Sequence, residues 1–208
     1  MSSFRRYTNL AATIHMLRTR SVTLLNPATW DDKNDAYFRA EYKRHTAAET
    51  VLALCFAERE ETYHHWRVFS HGSDGVCLEF EKDELLSTFE NDQQIRQGYV
   101  EYKTIKEVSD LKSVELEKLP FLKRYPYGDE SEYRVIYVDK DEASEFQDYD
   151  LQIGWIRRVT LSPWLSKALA KSVKETLKSI DGCSRLSVAR SSLVDNDSWK
   201  GLATRVRV

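Results

Sequence analysis

The stretch Tyr63–Phe80, YHHWRVFSHGSDGVCLEF, predicts the central unit of the fold. Its first half has the apolar spacing of a short amphipathic helix, and the Gly-Ser-Asp-Gly sequence at residues 72–75 indicates a turn. The apolar run Gly75–Phe80 is typical of a strand. The stretch contains three of the five histidines, so polar groups gather at the mouth of this helix–turn–strand unit. We therefore expect the unit to contribute side chains to a functional site.

Helical geometry limits how many of these side chains can share one site. Adjacent residues on a helix point about 100° apart, so at most one of His64 and His65 can pair with His71. Trp66 and Phe69 lie three residues apart, which favours packing in the core. The helix is therefore expected to contribute about one histidine and Arg67 to a cleft.

The remaining chain alternates predicted strands and helices. Strands are predicted over Phe4–Tyr7, Ser21–Leu25, Val51–Phe56, Gly98–Tyr102, Glu130–Val138, Ile156–Leu161 and Leu186–Ala189. Helices are predicted after Thr8-Asn9, over Ala36–His45, as one or two segments within residues 104–124, and over Leu165–Ile180 opened by Ser162-Pro163. The acidic segment Asp139–Asp150 is predicted to be a solvated loop. We expect one α+β domain spanning residues 1–208, with a mixed, mostly antiparallel sheet of six to seven strands and helices packed on its faces.

Composition excludes several classes of protein. The formal net charge is −2, so no global positive field supports binding to nucleic acid or to an anionic membrane. The three cysteines are widely spaced, and two of them lie in apolar runs, which is typical of buried thiols in a reducing compartment. No apolar run approaches the length of a membrane span. We expect a cytoplasmic protein that does not associate with membranes; its oligomeric state stays open.

Four blocks of sequence together resemble a known family. They are RYTNLAATIHML (6–17) with SVTLLNPATWDDKNDAY (21–37), VLALCFAE (51–58) with YHHWRVFSHGSDGVCLEF (63–80), FLKRYPYGDESEYRVIY (121–137) and VTLSPWLSKALAKSVKETL (159–177). In this order they resemble the bacterial and phage domain-of-unknown-function family 2971. The resemblance implies membership but little biochemistry.

The sequence also departs from the family pattern. Where many members have Asn-Asp-Pro after the second strand, this chain has Asp31–Asp35. The usual Trp-Ser-His-Tyr-Ala is replaced by Trp66–His71, so a role for a His-Tyr pair cannot be transferred to this chain.

The first functional hypothesis is a nucleotide-handling, NAD-dependent transferase of the ADP-ribosyltransferase type, acting as a toxin or phage-defence effector. Such chemistry needs cationic or hydroxyl anchors for the nucleotide, aromatic surfaces beside the nicotinamide, and a carboxylate that stabilises an oxocarbenium-like ribose. The order of residues resembles the arginine, aromatic or histidine, and glutamate series of that superfamily. The candidate catalytic residues are Glu132, Glu130 and His65, and the candidate NAD-binding residues are Arg5, Arg6, Tyr7, His64, Arg67, His71 and Arg134.

Two other hypotheses stay open. In a metal-assisted hydrolase or nuclease, His64, His65 and His71 would converge with Asp31, Asp32 and Asp35 on a divalent ion, but their spacing matches no established motif and we expect no metal. In a non-catalytic binding module, the chain would recognise a nucleotide or a protein. Glu130, Glu132 and Arg134 would then form a structural ladder, because alternate residues of a strand share one face.

Overall fold

The computed structural model describes residues 3–27, 30–70 and 72–205. The eleven strands in this part of the chain are β1 Ser3–Asn9, β2 Ser21–Leu25, β3 Thr50–Ala57, β4 Gly75–Glu81, β5 Ile95–Tyr99, β6 Glu101–Lys103, β7 Leu122–Arg124, β8 Glu132–Asp139, β9 Phe146–Asp150, β10 Ile156–Leu161 and β11 Val188–Arg190. The α-helices are α1 Leu10–Thr19, α2 Lys33–Thr46, α3 Tyr63–Phe69, α4 Lys82–Ser87, α5 Ile105–Asp110, α6 Lys167–Ser179 and α7 Asp197–Lys200. Short 3-10 helices cover Leu116–Phe121, Tyr125–Glu130, Ile153–Trp155 and Gly201–Arg205.

The mixed, mostly antiparallel sheet confirms the predicted fold class and has more strands than expected. Nine strands form one sheet, in which the path β11-β10-β4-β1-β3-β2-β9 is joined by β8 on β3 and by β5 on β8. The parallel pairs are β10 with β11 and, in a separate two-stranded sheet, β6 with β7. Strand β9 of this sheet was not predicted, because it is exposed and its sequence lacks the apolar run that indicates a buried strand. The predicted strand Gly98–Tyr102 is divided between the end of β5 and the start of β6.

The predicted helix–turn–strand unit is confirmed. Thr62 caps α3 by accepting a hydrogen bond from the backbone N–H of His65, and β4 begins at Gly75. Ser70 Oγ donates to the carbonyl of Trp66 and closes the end of the helix. The fully buried Trp66 anchors α3, because its indole Nε1 donates to Glu61 at 2.6 Å.

Other boundaries differ from the predictions for local reasons. The prediction that the acidic segment Asp139–Asp150 is a loop was wrong for its second part. Phe146–Asp150 is strand β9, which pairs with β2. Helix α6 begins after Ser166, whose side chain accepts from the N–H of Leu169, and not at Ser162-Pro163. Glu130 ends a 3-10 helix instead of lying on the strand, and Ser131 adopts a left-handed conformation between that helix and β8.

The position of β3 creates the site. On one edge, β3 pairs with β8 over its whole length, from Thr50↔Asp139 to Ala57↔Glu132. On its other edge it pairs with β1 at Arg5↔Ala57 and with β2 at Leu25↔Ala53, whereas β1 pairs along its whole length with β4. Beyond Arg5↔Ala57, β1 and β3 diverge, and a cleft opens between them.

No helix in the described ranges is long and apolar enough to cross a membrane.

Candidate functional site

A cleft of about 450 Å³ lies where β1 diverges from β3. One wall is formed by Arg5 and Tyr7 of β1, and the rest by two groups of side chains from other elements. These are Trp30, Asp31, Asp32, Asp35, Val68 and Phe69 on one side, and Cys55, Phe56, Ala57, Lys123, Tyr127, Glu130 and Glu132 on the other. The cleft therefore brings together five segments that are separated in the sequence.

Arg134 lies beneath the floor of the cleft and binds two carboxylates that line it, those of Glu132 and Asp35. Its Nε donates to Glu132 at 2.6 Å, and its two terminal nitrogens donate to Asp35 at 3.0 and 2.5 Å. A third acceptor is the carbonyl of Pro120 at 2.8 Å. Because the Arg134 side chain is fully buried and every donor group is engaged, it fixes both carboxylates.

Lys123 connects the two glutamates. Its ammonium contacts Glu130, lies 3.3 Å from Glu132 and is 4.0 Å from Asp35. The Lys123 ammonium also lies 4.9 Å from the centre of the Tyr127 ring. Glu130 and Glu132 approach Lys123 from different elements, since the left-handed Ser131 turns the chain between them.

Arg39 completes a charge-balanced cluster. It donates to Asp35 at 3.3 Å and stacks over Trp30, with its guanidinium carbon 4.2 Å from the ring centre. The cluster thus holds three carboxylates and three cations, and no side chain in it is more than 8% exposed: Asp35, Arg39, Lys123, Glu130, Glu132 and Arg134. Isolated buried charges are very costly, so mutual pairing offsets the cost of burying these groups.

The pKa values of Glu130 and Glu132 are shifted in opposite directions. Burial raises the pKa of Glu130 to about 7, aided by the neighbouring Glu132 and opposed by Lys123. Burial would also raise the pKa of Glu132, but Arg134 and Lys123 outweigh it and hold that pKa below its usual range. One carboxylate is therefore held as an anion, while the other titrates near neutral pH.

Aromatic rings support the wall opposite this floor. The Tyr7 ring stacks on His65 with centres 5.2 Å apart, and contacts Trp66 edge-on at 5.3 Å. His65 is fully buried, and its Nδ1 bonds the hydroxyl of Thr62 at 2.8 Å. Burial lowers the pKa of His65 and favours a neutral ring. The Phe69 ring contacts both His65 at 5.9 Å and Tyr7 at 6.3 Å, and lines the cleft.

The two arginines of β1 differ in their pairing. Arg5 lines the cleft and is bound by Glu79 at 3.3 Å and by the carbonyl of Arg59 at 3.2 Å. The Nε of Arg6 is buried and has no hydrogen-bond partner, and Arg6 has no ion pair among the described residues. Burial lowers the pKa of Arg6 to about 10, and the Cys55 thiol is close enough to affect it.

Comparisons with known proteins connect this chain to one family. Residues 65–135 match the family described as "Protein of unknown function (DUF2971)". The predicted family resemblance is confirmed. This segment includes α3, β4 and the glutamates of the cleft floor. No curated protein matches the chain in sequence.

Similar solved structures come from Thermus sp. 2.9. "DarT in complex with NAD+" has a TM-score of 0.47 and 10% sequence identity, covering 91% of this chain and 95% of that chain. "DarT in complex with ADP-ribosylated ssDNA" has a TM-score of 0.47 and 11% identity, covering 91% of this chain and 94% of that chain.

The structure separates the predicted site residues into two groups. Arg5, Tyr7, Glu130 and Glu132 line the cleft, with Arg134 directly beneath it. His64 and Arg67 are exposed and do not line it; Arg67 lies over the Trp164 ring at 4.3 Å. His65 packs behind Tyr7. His71 lies outside the described residues.

Sequence reasoning missed Lys123 and Arg39 as parts of the site. Lys123 stands in a Lys-Arg pair that was compatible with an exposed helix end, and Arg39 lies in a helix dense with charged residues. The signal that could have identified Lys123 is its position just before Glu130 and Glu132, on an adjacent short strand. Asp35, which was considered as a metal ligand, is buried in the cluster, while Asp32 caps α2.

The predicted metal-binding residues do not converge in the described part of the chain. No group of three or more His, Cys, Asp or Glu side chains there is arranged to hold a metal ion. Where Asp35, Glu130 and Glu132 meet, the ammonium of Lys123 and the guanidinium of Arg134 occupy the space between the carboxylates.

Proposed function

We propose that the cleft binds NAD and that the protein is an ADP-ribosyltransferase-like effector. The observation that supports this most strongly is the pair Glu130 and Glu132 on the floor of a 450 Å³ cleft, facing the arginine–tyrosine strand β1. A carboxylate opposite an aromatic and cationic wall meets the needs of chemistry that breaks the bond between ribose and nicotinamide. The acceptor of the ADP-ribose would be a protein or a nucleic acid.

The residues present fit an NAD nucleotide. A volume of about 450 Å³ lies within the usual size range of ligand pockets. Arg5 lines the cleft and supplies a cation for a phosphate or ribose oxygen. Tyr7, Trp30 and Phe69 provide aromatic surfaces for nicotinamide or adenine.

Glu132 is assigned the role of electrostatic stabiliser. Arg134 and Lys123 hold its pKa below the usual range, so it stays ionised across the physiological pH range. A preorganised anion stabilises the positive charge that develops on the ribose as nicotinamide leaves with the electrons of its bond. Glu132 also accepts hydrogen bonds, which suits it to hold a ribose hydroxyl.

Glu130 is assigned the role of general base. Its pKa of about 7 is close to the operating pH, which is where a base transfers protons most effectively. It would take the proton from the attacking hydroxyl of the acceptor or of water as the new bond to ribose forms. Its Oε2 contacts Lys123, and its Oε1 accepts no hydrogen bond from the described residues.

His65 is assigned a positioning role in place of the predicted catalytic one. Its ring is buried and packs against both Tyr7 and Phe69, so it sets the orientation of two cleft-lining rings without lining the cleft itself.

A non-catalytic nucleotide-binding module is the second candidate. It is favoured by the saturation of Glu132, whose two oxygens already accept hydrogen bonds from Arg134 and Lys123. In that case the ionic cluster would serve to hold β8 against α2. The two functions differ in whether nicotinamide is released.

The test is the release of nicotinamide from NAD by the purified protein. We expect turnover by the wild type and a loss of about a hundredfold or more for Glu132→Gln, the scale seen when one preorganised stabilising group is removed. Glu81→Gln is the matched control, because Glu81 pairs with Arg157 at 2.5 Å and lines neither the cleft nor the cluster. Absence of turnover with retained NAD binding would support the binding module and contradict the transferase.

A further inference from the structure

A second cavity, of about 660 Å³, adjoins the cleft and has no part in the proposed function. It shares Asp32, Asp35 and Lys123 with the cleft, and lies between α2 and the segment of residues 103–124. Its lining is dominated by large apolar side chains: Tyr37, Phe38, Ile105, Val108, Leu111 and Val114. Most of these are exposed, with Ile105 at 66% and Val108 at 46%. We call this cavity the apolar groove.

Cations lie at one end of the apolar groove. Lys103 and Arg124 are register partners in the parallel pair β6–β7, so their side chains leave the same face of the strands. Lys103 is paired with Glu101, whereas Arg124 has no ion pair among the described residues. Lys33 also lines the groove, is exposed and has no ion pair in that part of the chain.

The acidic groups facing the groove are already engaged. Asp35 is held by Arg134 and Arg39 inside the ionic cluster. Asp32 caps α2 by accepting from the backbone N–H groups of Asn34 and Asp35, although its second oxygen is buried and unpaired. Arg124, which has no ion pair in the described ranges, therefore presents a positive charge beside a long apolar surface, next to Lys103, which is paired with Glu101.

We propose that the apolar groove binds a free long-chain carboxylate, with its head at Lys103 and Arg124 and its chain along α5. A largely apolar cavity of about 660 Å³ with a few polar groups is typical of a small-molecule site. Nucleobases bind best on aromatic stacking platforms, whereas Ile105, Val108, Leu111 and Val114 offer aliphatic surface. An aliphatic chain with an anionic head matches both the surface and the charge.

The test is calorimetric titration with octanoate, decanoate and dodecanoate below their micelle-forming concentrations. We expect saturable binding whose affinity rises about fourfold per methylene group, the increment for burying that much apolar surface. Dodecyltrimethylammonium has the same chain with a cationic head and should bind more weakly than dodecanoate. Equal affinity of the two head groups, or no dependence on chain length, would overturn the proposal.

Three variants locate the site. Val108→Asp should abolish dodecanoate binding, and Arg124→Gln should weaken it about fivefold, the scale of one exposed charge interaction. Val194→Asp is the matched control, because Val194 is 42% exposed and lines neither cavity. Unchanged affinity in Val108→Asp would contradict the proposal. Because these side chains are exposed, thermal unfolding should show that every variant folds.

Two further outcomes would also overturn the proposal. Binding to vesicles of phosphatidylglycerol without binding of free dodecanoate would assign the groove to a membrane surface. A dimer seen by light scattering, and dissociated by Val108→Asp, would assign it to a second copy of the chain. Since each readout is binding or mass, failure here leaves the assay for nicotinamide release unaffected.

Discussion

At the residue scale, the ionic cluster beneath the cleft combines a fixed anion with a titratable one. Glu132 is held by Arg134 and Lys123, whereas Glu130 also contacts Lys123 and has one oxygen that accepts no hydrogen bond from the described residues. The spacing of Glu130, Glu132 and Arg134 predicted a glutamate–arginine ladder, of which the structure forms the pair Glu132–Arg134. It did not predict the contributions of Asp35 and Lys123, because those contacts depend on how α2 and β7 pack against β8.

The raised pKa of Glu130 predicts a pH-dependent stability. Its ordinary value is 4.5 and burial raises it to about 7, so the folded state binds the proton more tightly than the unfolded state. The contribution of Glu130 to stability is therefore fully present below pH 4.5 and is lost as pH rises through about 7. Urea titrations of wild type and Glu130→Gln should diverge by on the order of 2 kcal/mol across this interval. Parallel curves would show that Glu130 has no raised pKa.

Arg134 should be among the residues most costly to replace. Arg134→Met leaves Asp35 and Glu132 buried with less compensation, and breaking such a network costs about 3–5 kcal/mol of unfolding free energy. The pKa of Glu132 is lowered, so its favourable contribution is lost as pH falls through its folded value, and the deficit of the variant should shrink in acid. The control Arg157→Met removes a part-exposed pair with Glu81 and should cost about 1 kcal/mol or less. Urea unfolding at neutral and acidic pH measures both; an equal cost for the two variants would contradict the structural role of Arg134.

At the element scale, the helix–turn–strand unit Tyr63–Phe80 could be predicted because its sequence signals are local. Apolar spacing in α3, glycines in the turn and the apolar run of β4 all lie within one stretch. The exposed strand β9 could not be predicted, because its pairing with β2 defines it. The 3-10 helix ending at Glu130 could not be predicted either, because the left-handed Ser131 ends it. The cleft itself arises where β1 leaves β3, and that choice between two neighbouring strands has no signal in the sequence.

Gly75 tests the close packing of that unit. A Cβ at Gly75 would lie 2.6 Å from Ser70 Oγ, and Ser70 is held by its bond to the Trp66 carbonyl. Gly75→Ala should therefore lower the unfolding free energy by about 1–3 kcal/mol, as overpacking does. Gly154→Ala is the control, because no heavy atom lies within 4 Å of its added Cβ and little change is expected. Thermal and urea unfolding measure both; a neutral Gly75→Ala would contradict the close contact.

At the scale of the whole molecule, the sequence predicted which segments meet, but not how each contributes. Tyr7, the Trp30–Asp35 segment and the Glu130–Arg134 segment meet at the cleft, whereas the predicted Arg6 does not line it, His64 and Arg67 face solvent, and His65 is buried behind Tyr7. Side-chain direction on a helix of seven residues depends on its packing angle, which residue spacing does not determine. A net charge of −2 means that an anionic substrate must be attracted by local groups such as Arg5, and not by the whole surface.

The most direct test of the central claim is a crystal structure of the Glu132→Gln variant with NAD. Slow turnover should leave the nucleotide intact, and we predict NAD in the cleft between Tyr7 and Phe69 on one side and Gln at position 132 on the other. The ribose should then lie within hydrogen-bond distance of that side chain, with a phosphate or ribose oxygen on Arg5. NAD bound outside the cleft, or a cleft that stays empty at saturating NAD, would contradict the account.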